Sequence, residues 1–491
     1  DVPRLAQEMP WFESKLDVRP LPDWETLPYD VLSPQEELVS ERLEALYRLT
    51  APTGGADVLL TSAVTASQRL SPVSYIGANT FFFHQGEQIS LTTLQKRLAA
   101  AGYANVKQVL AAGEFAVRGS IVDVFPMGSE RPFRLDFFDD EIESIRWFDV
   151  DTQRSMESAE EIRLLPGHEF PVDPEALLAF RQRWRREFAG DPKKSIVYCD
   201  IEKEILPPGI EYYLPLFFDE TAALTDYLPP NARVFLLGDI EAALQAFGRD
   251  MASHYKVLAA DPQRPALAPE RIWLKPEEFF KSLANFARFT VEEKENAEDL
   301  KRLTGIEVDR KSQNPVGKLL ERTRESAMKG VRTLIAAPSA GRMETMSQLL
   351  RTGGLSVEEF PDWQTFLDAD SALGIAAAPL FSGAVFHHPE IVILSEAELY
   401  AASPRRHRLR RVKHATTLEM MVRDVAELKP GDAVVHADHG IGRYQGLVHM
   451  ETPDGDAEFL EITYKNDAKL FVPITNLQLI SRYAGADPEH A

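Results

Sequence analysis

Between residues 133 and 138 the chain alternates apolar and polar positions: Phe133, Leu135 and Phe137 against Arg134, Asp136 and Phe138. A period of two predicts a half-buried antiparallel strand. Asp139 and Asp140 then predict a polar turn, and Ile142, Ile145 and Trp147 a return strand. Upstream, Phe115, Val117, Ile121 and Val124 are strand formers, so 113–149 predicts a set of strands. Arg134 and Phe138 fall on the second face of that sheet, beside Arg118. An aromatic with two arginines is the composition of a protein-contact hot spot. The plainer reading is a solvated face with one stray Phe, and composition alone favours it.

Helical periods occur elsewhere. Ser33, Pro34 and Glu36 predict a capping box, followed by an apolar stripe of Leu38, Val39, Leu43, Leu46 and Leu49. Ser90 predicts the start of a helix carrying Leu91, Leu94 and Leu98, stopped by Gly102. Asp173-Pro174 predicts another, with Phe180, Trp184 and Phe188 on one face. A strand, DVLLTSA, is predicted from Asp57, and short buried strands at 195–199 and 233–237. The small-residue run 51–55 predicts a loop.

These patterns divide the chain. Residues 1–76 predict the first part of an α/β domain, 77–165 an inserted α+β domain, and 166–300 the second part of the first domain. Residues 301–403 predict a linker and a small α/β domain, 404–414 a basic linker, and 415–487 a small β-barrel. In the last segment Gly440, Gly442 and Gly446 suit tight bends. The fold class is therefore multidomain α/β and α+β, closing in an SH3-like barrel.

Length agrees: 491 residues exceed what one core supports. A formal net charge of −22 argues against coating nucleic acid along the whole chain. The basic run 404–413 could touch phosphates, but without interleaved aromatics a solvated linker is the better reading. Cys199 is the only cysteine, which excludes an internal disulfide and fits a reducing cytoplasm. No apolar run is long enough for a membrane span. The first residue is Asp1 and no strand pattern precedes the first helix, so a fragment is expected.

Catalytic patterns are incomplete. Val316-Gly317-Lys318-Leu319 lacks the upstream glycine and the Ser/Thr of a phosphate loop. Phe137-Phe138-Asp139-Asp140-Glu141 reads better as a tight turn than as a Walker B motif. His436 and His439 read as turn residues, since a metal site would need further ligands nearby. No metal, nucleotide or catalytic residue is assigned, which points to binding and assembly.

Two stretches carry a resemblance. VVHADHGIGRYQGL (434–447) with LEITYKNDAKLFVPITNLQLISRY (460–483) resembles the RNA-polymerase-interacting domain of bacterial transcription-repair coupling factors, a module shared with CarD-type regulators. GEFAVRGSIVDVFPMGSERPFRLDFFDDEIESIRWFDVDTQRS (113–155) resembles the second domain of the same family, which is similar to the UvrA-binding domain of UvrB. PDWETLPYD and GIEYYLPLFF (209–218) also resemble that family's N-terminal half.

The resemblance implies a UvrB-like, degenerate helicase-like α/β domain with an inserted UvrA-binding domain, and a C-terminal CarD-like barrel. It places UvrA contacts at Arg118, Arg134 and Phe138, whose guanidiniums would pair with partner carboxylates. It places contacts to the RNA polymerase β subunit at Tyr444, Leu447 and Met450. In the full-length family protein a motor using ATP and magnesium moves along double-stranded DNA and displaces stalled polymerase. No cofactor and no catalysis are expected within this chain, and DNA is expected to be held mainly by the translocase domains outside it. The alternatives are a CarD-like transcription regulator and a UvrB-like damage-recognition ATPase.

Overall fold

The computed structural model describes residues 2–50, 56–291, 297–308, 312, 314–400, 433–436, 440–452, 455–464, 469–473 and 480–482. The chain divides into two compact units, Asp1–Ala401 and Ala402–Ala491.

The first unit is a mixed α/β assembly with several sheets. Its largest is six-stranded, made of β1 (Ala104–Asn105), β2 (Glu114–Arg118), β3 (Ile121–Val124), β4 (Phe133–Phe138), β5 (Glu141–Phe148) and β6 (Ser155–Ala159), paired in that order. All pairings but β1 with β2 are antiparallel. The alternation read from the sequence sorts as expected: Phe133, Leu135 and Phe137 are buried, while Arg134 and Asp136 are half-buried and Phe138 is exposed. The buried face packs with Phe115, Val122, Val124, Ile142 and Ile145 against Val39, Leu43 and Leu46 of the helix Glu36–Thr50. The strands Phe81–His84 and Glu161–Leu164 pair antiparallel, so the chain enters and leaves this module side by side.

A second core joins sequence-distant parts. Trp24 packs with Phe170, Phe180, Trp184, Tyr212 and Trp273. Asp173 caps the helix Pro174–Glu187 by accepting from the amides of Glu175 and Ala176, and Ser90 caps Leu91–Ala100 through Thr93. Both caps match their sequence patterns.

Three local expectations fail. The helix expected to start behind Ser33 begins at Glu36, because the Ser33 hydroxyl is used elsewhere: it donates to Glu211 at 2.8 Å and accepts from the Gly209 amide at 3.0 Å. Residues 195–199 are not a strand. Ser195 caps the helix Ile196–Glu202, whose Val197, Tyr198 and Ile201 face the second core at helical spacing. The strand expected from Asp57 is short, Val58–Leu60, because Ser62 caps a helix at Ala63.

Within the first unit, Arg332–Ala337, Glu358–Phe360, Leu373–Ala377, Ala384–His387 and Glu390–Ser395 form a five-stranded sheet. Trp11 and Phe12 of the helix Val2–Phe12 pack on it beside Trp363 and Phe386, and the Trp11 indole donates to the Ala377 carbonyl at 3.0 Å.

In the second unit five antiparallel strands pair in the order Lys469–Pro473, Gly455–Thr463, Gly440–Thr452, Ala433–His436 and Ile480–Arg482. A register shift between Tyr444 and Gly446 marks a bulge, with Gly446 at φ +136. The basic run 404–413, the turn at 429–432, the loop 51–55 and His439 lie outside the described residues.

Candidate functional site

The second face of the six-stranded sheet is built around one carboxylate. Asp123 sits in β3 directly opposite Arg134 in β4, and is fully buried. A buried carboxylate is costly unless it is paired and hydrogen-bonded. Here Arg134 donates from Nε to Oδ1 at 2.6 Å and from Nη2 to Oδ2 at 2.9 Å. Arg118, at the end of β2, donates from Nη2 to the same Oδ2. The hydrogen bond and attraction to Asp123 raise the pKa of Arg134, so the guanidinium stays charged.

Arg134 is committed further. Its Nη1 donates to the Gln153 carbonyl and the Ser155 hydroxyl, both at 3.2 Å. Its guanidinium lies 5.0 Å from the Phe148 ring centre. Gln153 in turn donates to the carbonyls of Val109 and Val150. Val109, Ala116 and Phe148 form a small apolar cluster on this face. Arg134 therefore ties β3, β4 and β6 to that cluster, and its side chain is only 15 % exposed, against 48 % for Arg118. The expectation that Arg134 is open to a partner carboxylate does not match this geometry.

Phe138 is different. It ends β4, is 69 % exposed, and stands beside the two-residue Asp139-Asp140 turn that links it to Glu141. Asp139 has φ +53, a conformation Asp tolerates better than most side chains. The turn reading of this acidic run holds.

Sequence reasoning missed two residues here. Asp123 was hidden inside the apolar run Ile121-Val122-Asp123-Val124, where an acidic residue in a strand between two arginine-bearing strands was the available signal. Arg146 stands opposite Arg134 on β5 and is exposed.

Of the residues expected to meet RNA polymerase, Tyr444 is buried in its strand opposite Ile462, and that burial raises its pKa. Leu447 and Met450 lie on the same strand, and their side chains lie outside the described residues, as does that of His436.

A cleft of about 350 Å³ is lined by Arg69, Pro215, Asp219, Glu220, Thr221, Glu270 and Arg271. Its arginines are engaged with Glu278 and Glu187 respectively, so it offers no unpaired cation to a ligand. Among the described residues no helix is long and apolar enough to cross a membrane.

Comparison with known proteins places this face in context. Residues 81–170 match the UvrB interaction domain, 327–399 the D3 domain of MFD, and 428–484 the CarD-like/TRCF RID domain. The chain is 38 % identical to the transcription-repair-coupling factor of Escherichia coli over 99 % of its own length. The chain matches the N-terminal region of transcription-repair-coupling factors. The corresponding factor of Haemophilus influenzae is 38 % identical over 97 % of the chain, and that of Bacillus subtilis 24 % identical over 92 %. The chain spans 42 % of the length of the first two relatives and 39 % of the third. Asp123, Arg118, Arg134 and Phe138 all fall inside the stretch that matches the UvrB interaction domain.

Proposed function

We propose that this chain is the adaptor part of a transcription-coupled DNA repair factor. The region 81–170 recruits UvrA through the second sheet face, and 428–484 binds the RNA polymerase β subunit. The observation that carries the reading is Phe138, a large ring 69 % exposed on the same sheet face as Arg134 and Arg146, within the region matched to the UvrB interaction domain. An isolated exposed Phe is ordinary; one that shares a braced sheet face with arginines further along the strands has the composition of a binding anchor.

Chemistry belongs elsewhere in the whole protein, which is an ATP-dependent double-stranded DNA translocase that displaces stalled polymerase, with ATP and magnesium held in its motor. This chain performs no catalysis and acts in the cytoplasm. The barrel fold of 415–487 and the polymerase contacts at Tyr444, Leu447 and Met450 are part of the proposal. Burial of Tyr444 favours a supporting role for its ring, with Leu447 and Met450 left as the contact candidates.

The test is retention of purified UvrA by the immobilised chain, without ATP or polymerase. The chain retains UvrA and its Phe138→Ala variant does not. Equal retention by both would remove the site. A CarD-like regulator would bind polymerase but not UvrA, and a UvrB-like ATPase would hydrolyse ATP with DNA stimulation.

A further inference from the structure

Taking the UvrA-contact reading of this face as given, the three guanidiniums on it are not equivalent. Strand pairing sets Asp123, Arg134, Arg146 and Ser158 in one row across β3 to β6. Neighbours in such a row stand about 5 Å apart at Cβ, and like charges placed so repel. Arg134 and Arg146 are tolerated side by side because Asp123 cancels the charge of Arg134. Asp123 neutralises one of the two arginines it holds and Asp136, two residues along from Arg134 on the same face, offsets part of the rest, so the remaining positive surplus is small and sits at Arg118 and Arg146.

Availability divides them further. The nitrogens of Arg134 make four hydrogen bonds, to Asp123, Gln153 and Ser155. A partner carboxylate could reach it only by breaking some of these. Arg146 is exposed and has no ion-pair or hydrogen-bond partner among the described residues. Phe138 lies further along β4 on the same face, so ring and charge bound one patch.

The surrounding charge selects the kind of partner. Asp139, Asp140, Glu141 and Glu143 are exposed around the turn beside Phe138. They would repel a nucleic-acid backbone, whose phosphates cannot avoid them. A folded protein surface can place carboxylates against the guanidiniums and an apolar pocket against the ring.

We infer that Arg146 is a contact residue of this face, meeting a carboxylate on UvrA alongside Arg118 and Phe138, while Arg134 is a positioning residue that holds Asp123 and through it Arg118. The assignment adds one residue to the contact set and moves another behind it.

The experiment is a titration of the whole chain with purified UvrA at several salt concentrations, with thermal unfolding of every variant. Arg146→Glu weakens binding by about tenfold or more with no change in Tm, and Arg146→Ala flattens the salt dependence. Arg134→Ala lowers affinity and Tm together. Arg134→Lys, which still neutralises Asp123 but cannot make a bidentate contact with a partner, recovers much of the lost affinity and keeps the wild-type salt dependence. If Phe138→Ala weakens binding while both Arg146 variants bind like wild type, the inference is overturned and the UvrA reading stands. Failure of Arg134→Lys to recover affinity, with Tm restored, would return Arg134 to the contact set. If Phe138→Ala also binds like wild type, the reading of the face itself falls.

Discussion

Two arginine–carboxylate sites in the first unit invite comparison. At one, Arg42 meets Glu169, with side chains 0 % and 3 % exposed. Arg42 donates to both Glu169 oxygens, to Gln68 and to the Pro22 carbonyl, and the Trp24 indole donates to Glu169. At the other, Asp123 is as deeply buried, yet one of its arginines is half exposed. The sealed site joins segments 127 residues apart and has no surface to offer. The open site braces a sheet and passes charge outward to the surface. The same ion-pair chemistry thus serves cohesion in one place and presentation in the other. What separates them is whether the row of side chains continues past the ion pair to an exposed Arg146.

Breaking the sealed site gives the largest effect. Arg42→Ala leaves the Glu169 carboxylate buried with only Trp24 as a donor, so the first unit loses about 3–5 kcal/mol of stability. Denaturant unfolding reads this, and a loss near zero would mean the two sites do not differ in kind. Asp123→Ala costs less, about 1–3 kcal/mol, because Arg118 regains water while Arg134 loses its two-pronged partner. It weakens UvrA binding as well, which the same unfolding and titration measurements separate.

A third test uses pH. Near the sealed site, burial raises the Glu211 pKa to about 7 and lowers that of His168 to about 4. A raised carboxyl pKa favours the folded state below the ordinary value of about 4.5, and that contribution is lost as pH rises through 7. A lowered histidine pKa gives stability above the ordinary value of 6.5, lost as pH falls through 4. The two slopes oppose each other across this window. Glu211→Gln removes the first, so its stability falls more steeply than wild type as pH drops from 6.5 towards 4. A variant that tracks the wild-type pH profile would contradict the assignment. Glu211 also accepts from Ser33 and feels Glu169, so the titration belongs to the sealed region.

How much of this was readable beforehand depended on the range of the interactions. The β4 alternation, the Asp173 and Ser90 caps and the acidic turn after Phe138 are local, and each was legible from spacing alone. Ser33 misled because its hydroxyl bonds Glu211, 178 residues away, instead of capping the nearby helix. Residues 195–199 misled because a short apolar run fits strand and helix equally until Ser195 is seen to cap it. On the functional face, Phe138 was visible as an odd aromatic at a polar position. The distinct roles of Arg134 and Arg146 were not, because only strand register reveals which arginine Asp123 holds.

The most direct measurement compares the calorimetric affinity of UvrA for the chain and for Phe138→Ala, with unfolding followed in parallel. Truncating an exposed ring changes stability by less than about 0.5 kcal/mol, while losing a contact anchor costs about 2 kcal/mol or more of binding, at least tenfold in Kd. Affinity is expected to fall while stability does not. Unchanged affinity in a stably folded variant would contradict this.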